Sequence, residues 1–346
     1  MAKRVRLALI GLGNVGRAFL NLMVSKAALL RDRYGLELEL TAAADSSGAV
    51  LDAAGIDPLA LAAHKERGGN AGNFLGGVPG MSAVKVAAQA PADVLIEASS
   101  VNLHTGQPGL DCVRIAIRRG MGVVLADKGP LVHAFAELTA AADAARVGLA
   151  YSATVCGALP VVNVGRRDLA ACEIRSLRGI FNSTSNFILT AMARGGSYQE
   201  ALHEAQRAGV AEADPTLDVE GWDTANKLVI IVNSILRQPA TLADIHPLIG
   251  ITDITPEQIR HAAMRREVIK LVASALRIAD GHYTLSVQPE LLPEDDFLAQ
   301  INGWEMGIVF DTDIMGRQQF KVDERGPLPT AGAILRDVIN LATAVS

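Results

Sequence analysis

Apolar residues along the first 150 positions fall into two alternating patterns. Residues 5–10, 36–44, 93–97 and 122–126 are short, mostly apolar runs, the pattern of strands covered on both faces. Helical patterns lie between them, from the end of the 11–16 stretch through Ser25 and from about Pro108 to Arg119. Strands alternating with helices predict an α/β fold. It is a Rossmann-type doubly wound parallel sheet, with ligand expected at the strands' carboxyl ends. From 151 onward the rhythm changes. Helices near 185–209, 222–236 and 256–278 are interleaved with strands over 172–181, 281–288 and 303–311. That mixture predicts a second, α+β domain over 151–325. The first domain covers 1–150 and is completed by a C-terminal helix within 326–346.

Charge and composition narrow the functional classes. The 346 residues carry a net charge of −5 with no block of basic residues, which argues against nucleic-acid binding. No apolar run approaches the ~18 residues of a membrane span. The apolar run after Lys3-Arg4 is short and broken by glycines, so it is not read as a signal peptide. Cys112, Cys156 and Cys172 are odd in number and form no Cys-x-x-Cys pair, which predicts a reducing, cytoplasmic setting. The scattered histidines show no zinc-binding spacing. Cys156 has no neighbouring base in sequence and is read as an inert buried thiol.

The first strand runs into Gly11-Leu12-Gly13-Asn14-Val15-Gly16. Strand, glycine turn and helix in that order are the context a dinucleotide fingerprint requires. Gly11 permits the tight turn, Gly13 lets backbone approach a pyrophosphate, and Gly16 allows close helix–strand packing. The helix start at Asn14 and Val15 presents N–H groups. Asp45, at the end of the second strand, can accept ribose hydroxyls and repel a 2′-phosphate, favouring NAD over NADP; the competing role is a turn cap. Ser99, Ser100 and Lys128 also fall at strand carboxyl ends, where a ligand is expected.

One segment stands out in the second half. Glu212, Asp214, Asp218, Glu220 and Asp223 crowd the approach to Lys227, which leads directly into the apolar run Leu228-Val229-Ile230-Ile231-Val232. Asp223 and Lys227 share a helix face at i and i+4. Alone, such a pair is commonly a weak surface ion pair. The acidic loop before it and the buried run after it point to function. Asp214, before Pro215, is read as a turn residue.

The chain resembles the homoserine dehydrogenase family over nearly its whole length. The resemblance rests on the glycine fingerprint, Glu97-Ala98-Ser99-Ser100, Gly106-Gln107-Pro108, and Asp127-Lys128 where the family has an Asn-Lys-like pair. It also rests on the block Asn182-Ser183-Thr184-Ser185-Asn186 and the Glu212–Lys227 segment. The departures are Ser152 where the family often carries an acid, and a glycine turn reduced to Gly326-Pro327-Leu328-Pro329. The resemblance implies reversible NAD(P)-dependent reduction of L-aspartate 4-semialdehyde to L-homoserine, in aspartate-family amino-acid biosynthesis. Lys227 would act on the carbonyl oxygen, supported by Lys128 and Asp223. Glu212, Asp218, Asp223, Asn182 and Thr184 would hold substrate. Gly11, Gly13, Asn14, Val15, Gly16, Asp45, Ser99, Ser100, Lys128 and Gly326 would hold cofactor. It further implies a homodimer closed by 151–160 and 285–325, and a monovalent cation held by the Val155 and Gly157 carbonyls. No appended regulatory domain is expected. Two alternatives stay open: a related dehydrogenase of another small amino-acid aldehyde or hydroxy acid, and a non-catalytic dinucleotide sensor.

Overall fold

The computed structural model describes residues 2–343. The chain divides into two compact units, residues 1–158 with 326–346, and residues 159–325. The first contains β1 (Lys3–Ile10), β2 (Leu36–Asp45), β3 (Gly48–Leu51), β4 (Gly77–Pro79), β5 (Val94–Glu97), β6 (Gly122–Leu125) and β7 (Leu149–Ala150). They form one sheet in the order β4-β3-β2-β1-β5-β6-β7. The pairs β2–β1, β1–β5, β5–β6 and β6–β7 are parallel, and only the β2–β3–β4 edge is antiparallel. The central strands are buried on both faces, with Leu7, Leu9, Leu95, Ile96 and Val123 excluded from solvent. This explains why they read as continuous apolar runs.

The helix Leu328–Thr343 packs its Ala331, Ile334, Leu335 and Val338 into the same core as Val5, Phe19 and Leu20. Ser152 fastens the 151–158 segment to that helix. Its N–H and hydroxyl donate to the two oxygens of buried Asp337, at 2.9 and 2.5 Å, and Arg336 donates to the same hydroxyl at 2.8 Å.

The second unit carries β8 (Ile174–Ile180), β9 (Ile245–Leu248), β10 (Glu267–Arg277), β11 (Tyr283–Pro293), β12 (Glu305–Thr312) and β13 (Arg317–Asp323), in the order β13-β12-β8-β10-β11-β9. All pairs are antiparallel except β11–β9. Two expectations fail here. The helix expected over 256–278 is a helix only over Pro256–Met264. Arg266 then takes a left-handed backbone (φ 59°), and β10 follows. Ile269 to Ala275 are all buried: β10 is a central strand between β8 and β11, and the helices Ser183–Ala193, Trp222–Ile231 and Pro256–Met264 pack on it. A strand covered on both faces has no polar stripe, so its apolar run mimics a buried helix. The helix expected over 185–209 is two, Ser183–Ala193 and Tyr198–Arg207. The break falls at Gly195 (φ 104°), and Ser197 restarts the helix through a capping box with Glu200.

Candidate active site

In the first unit, Gly11 sits at φ 99° as β1 turns into the helix Asn14–Ser25. A Cβ at Gly11 would collide with the Ala98 carbonyl, and one at Gly16 with the Gly11 carbonyl. Those two glycines are therefore required by packing. Gly13 differs: a Cβ there would meet nothing within 4 Å. No side chain caps the helix at Gly13, so the N–H groups of its first turn, Asn14 and Val15 included, have no side-chain cap. Open space at Gly13 before an uncapped helix N-terminus fits a dinucleotide pyrophosphate.

Asp45 ends β2. Its Oδ1 accepts from the Ser47 N–H (2.9 Å) and hydroxyl (2.6 Å); its Oδ2 accepts from Lys65 Nζ (2.6 Å) and the Ala71 N–H (2.9 Å). Burial opposes its ionisation, but these donors outweigh that and hold its pKa down to about 2. The turn-cap role and a ribose role coexist at this residue only if a ribose hydroxyl exchanges with one of those donors. Ser99 is half-buried after β5 and gives its hydroxyl to Glu97 Oε1 at 2.5 Å, while Ser100 is exposed. Lys128 is half-buried and immediately precedes the helix Gly129–Ala145. Gly326 (φ 68°) is exposed, two residues before the last helix. Val155 is buried, and Cys156 and Gly157 both take left-handed conformations (φ 54° and 48°). Among the described residues no group of three or more His, Cys, Asp or Glu is placed to hold a metal ion.

In the second unit the acidic segment folds into a short helix, Thr216–Val219, then Gly221 (φ 87°), then the helix Trp222–Ile231. Asp223 and Lys227 pair across one turn at 2.7 Å with side chains only 11% and 12% exposed. Lys227 Nζ also donates to the Phe181 carbonyl at 2.6 Å. Asn182 links the carboxylates. Its Nδ2 donates to Asp218 Oδ1 (2.6 Å) and Asp223 Oδ2 (2.9 Å), while its Oδ1 caps the helix Ser183–Ala193 by accepting from the Ser185 N–H (2.8 Å). Burial and the neighbouring Asp223 carboxylate raise the Asp218 pKa. Thr184 donates to the Val210 carbonyl at 3.0 Å. Asn182, Asp218, Asp223 and Lys227 thus form one constellation. Glu212 stands apart, exposed on the loop after the Tyr198–Arg207 helix, where its backbone carbonyl accepts from Gln206 at 3.3 Å.

Sequence reading missed Lys270. It is 1% exposed on β10 and donates to the Ile301 carbonyl, Asn302 Oδ1 (3.0 Å) and Asn186 Oδ1 (3.2 Å). Burial pulls its pKa down to about 8. Only a lysine inside an otherwise apolar run could have signalled it.

A glycine-turned strand and helix on a parallel sheet in one unit, and a nearly buried lysine–aspartate pair in the other, define a two-unit α/β dehydrogenase. The homoserine dehydrogenase family model matches residues 160–339. A homoserine dehydrogenase of Methanocaldococcus jannaschii is 37% identical over 96% of this chain and 97% of its own length. The NAD(+)-dependent homoserine dehydrogenase of Pseudomonas canavaninivorans is 34% identical over 97% and 96%. A crystal structure of a putative homoserine dehydrogenase from Archaeoglobus fulgidus superposes with a TM-score of 0.86 at 38% identity, covering 97% of this chain and 98% of that one. The chain belongs to the homoserine dehydrogenase family and is an NAD(P)-dependent oxidoreductase. Among the described residues no helix is long and apolar enough to cross a membrane.

Proposed function

We propose that this chain interconverts L-aspartate 4-semialdehyde and L-homoserine in the cytoplasm as a homodimer, with Lys227 as its acid–base group. When bound, the nicotinamide supplies or receives the hydride. The residues of the chain orient the substrate and manage one proton. In the reductive direction negative charge grows on the carbonyl oxygen, and the Lys227 ammonium stabilises it and donates the proton. Asp223 and the Phe181 carbonyl aim that ammonium. Asn182 fixes Asp223 and Asp218 through both of its Nδ2 bonds, so these groups enter the reaction already oriented. Asp218 and Glu212 receive the substrate's amino end, with Thr184, at the start of the Ser183–Ala193 helix, bonded to Asp218. Lys128, Ser99 and Ser100 serve the cofactor edge, and Asp45 favours NAD.

The observation that carries this reading is the Asp223–Lys227 pair, almost excluded from water and braced by Asn182. Surface pairs are solvated and unbraced. Oxidation of L-homoserine, assayed beside homologous hydroxy acids with NAD and with NADP, tests it: L-homoserine gives the highest kcat/KM, and turnover of another hydroxy acid alone overturns it. Light scattering at micromolar concentration gives about twice the 36.4 kDa chain mass.

A further inference from the structure

Two carboxyl groups of the first unit lie outside these roles. Glu97 ends β5 and Asp127 follows β6, its parallel neighbour, and they are 0% and 2% exposed. Glu97 Oε1 accepts from the Ser99 hydroxyl and N–H (2.5 and 3.3 Å), whereas Glu97 Oε2 is buried without a hydrogen-bond partner. Asp127 Oδ1 accepts from the Gly129 N–H at 2.9 Å. Asp127 Oδ2 and Glu97 Oε2 converge on one point: a Cβ at Gly109 would lie 3.0 Å from the first and 3.3 Å from the second. An orphaned buried carboxylate oxygen facing a second carboxylate is costly, because each group is desolvated and the two repel.

We propose that Glu97 and Asp127 form a carboxylic acid–carboxylate pair sharing one proton, donated from Glu97 Oε2 toward Asp127 Oδ2, and that this pair positions the turns carrying Ser99 and Lys128. The Ser99 turn hangs from Glu97 Oε1 and the start of the Lys128 helix from Asp127 Oδ1, so both positioning residues act through their neighbours. The other groups facing the pair do not replace the proton. Cys112, on the Gly109–Arg118 helix, is itself pushed up to about 12 by burial, then by Glu97 and Asp111. Lys128 favours the ionised form of Asp127. His133 is turned to the Leu103 carbonyl at 2.9 Å. Burial and then the Asp127 charge push the Glu97 pKa up to about 8, and burial pushes Asp127 up to about 6.

Raised carboxyl pKa values mean that the folded pair keeps a proton at a pH where the unfolded chain has released it. Their contribution to stability is therefore full below about pH 4 and lost as pH rises toward 8. Asp127→Asn is the discriminating variant, since an amide N–H reaches Glu97 Oε2 with no shared proton. In wild type, the melting temperature falls by at least about 3 °C between pH 6 and pH 9. Over the same range the KM for NAD rises. Both slopes are markedly flatter in Asp127→Asn. Infrared difference spectra at pH 7 show a neutral carboxylic acid carbonyl stretch in wild type that is lost in Asp127→Asn and in Glu97→Gln. Equal pH slopes in wild type and Asp127→Asn, or no such band, overturn the proposal. So does a melting temperature that rises with potassium or sodium but not with tetramethylammonium, which would place a metal cation between the carboxylates.

Discussion

The chain buries two groups of carboxylates and neutralises them differently. In the second unit Asp218 and Asp223 share the Asn182 amide, and Asp223 pairs with the Lys227 ammonium, so donors and a cation balance the charge. In the first unit Glu97 and Asp127 face each other without a hydrogen-bonded cation, and Glu97 Oε2 is orphaned. A lysine ammonium paired directly with its carboxylate suits a group that must act in every turnover. A shared proton is present or absent with pH, which suits a structural clamp. Burial raises the pKa of Asp218 as it does those of Glu97 and Asp127, so the two clusters differ in what faces the carboxylates and not in the direction of the shift.

The largest effect expected from this comparison is at Lys227. Lys227→Ala lowers kcat by at least about 100-fold, the lower end for a positioned acid–base group, with little change in cofactor affinity. Lys227→Arg does not rescue it, because a guanidinium of different shape holds its proton too tightly. Steady-state kinetics on folded protein check both, and turnover within about threefold of wild type would remove Lys227 from the mechanism.

Next come the opposite signs expected of two Asp→Asn exchanges. Asp223→Asn leaves the nearly buried Lys227 without its counterion and costs about 2–3 kcal/mol, discounted from a fully buried pair for the residual exposure. Asp127→Asn at pH 8 stabilises, because it removes a repulsion instead of a partner. Denaturant melts of the two variants at one pH show whether the clusters differ in kind; a shift of the same sign in both would erase the distinction.

A smaller effect is expected at Glu212, the carboxylate outside both clusters. Glu212→Gln raises the KM for L-homoserine by about 3–10-fold while changing kcat less, since an exposed ground-state contact contributes uniform binding. A larger fall in kcat than rise in KM would move Glu212 into the proton-handling group.

The smallest effect is expected at Asp45, whose oxygens already serve Ser47, Lys65 and Ala71. Asp45→Ala narrows the ratio of kcat/KM for NAD over NADP by about 3–5-fold, a change near 1 kcal/mol. Equal or better use of NADP by the wild type would end the reading of Asp45 as an NAD determinant.

Residue order along the chain was enough to read the glycine turn, the parallel strands and the Asp223–Lys227 pair, because each rests on local geometry. A strand buried on both faces must be apolar, a turn at φ 99° favours glycine, and an i, i+4 pair meets on any helix. Where a segment's environment is tertiary, sequence was insufficient. The run through β10 fits a buried helix equally well until its pairing with β8 and β11 is known. Asn182 read as a substrate-binding residue, and only the fold brought Asp218 and Asp223, 36 and 41 residues away, onto its amide. Asp337 and the facing of Glu97 with Asp127 had no local signature, and Lys270 had only that of a lysine in an apolar run. Burial and the charges that meet across long loops are properties of the packed chain, and they alone decided which acid keeps a proton and which keeps a lysine.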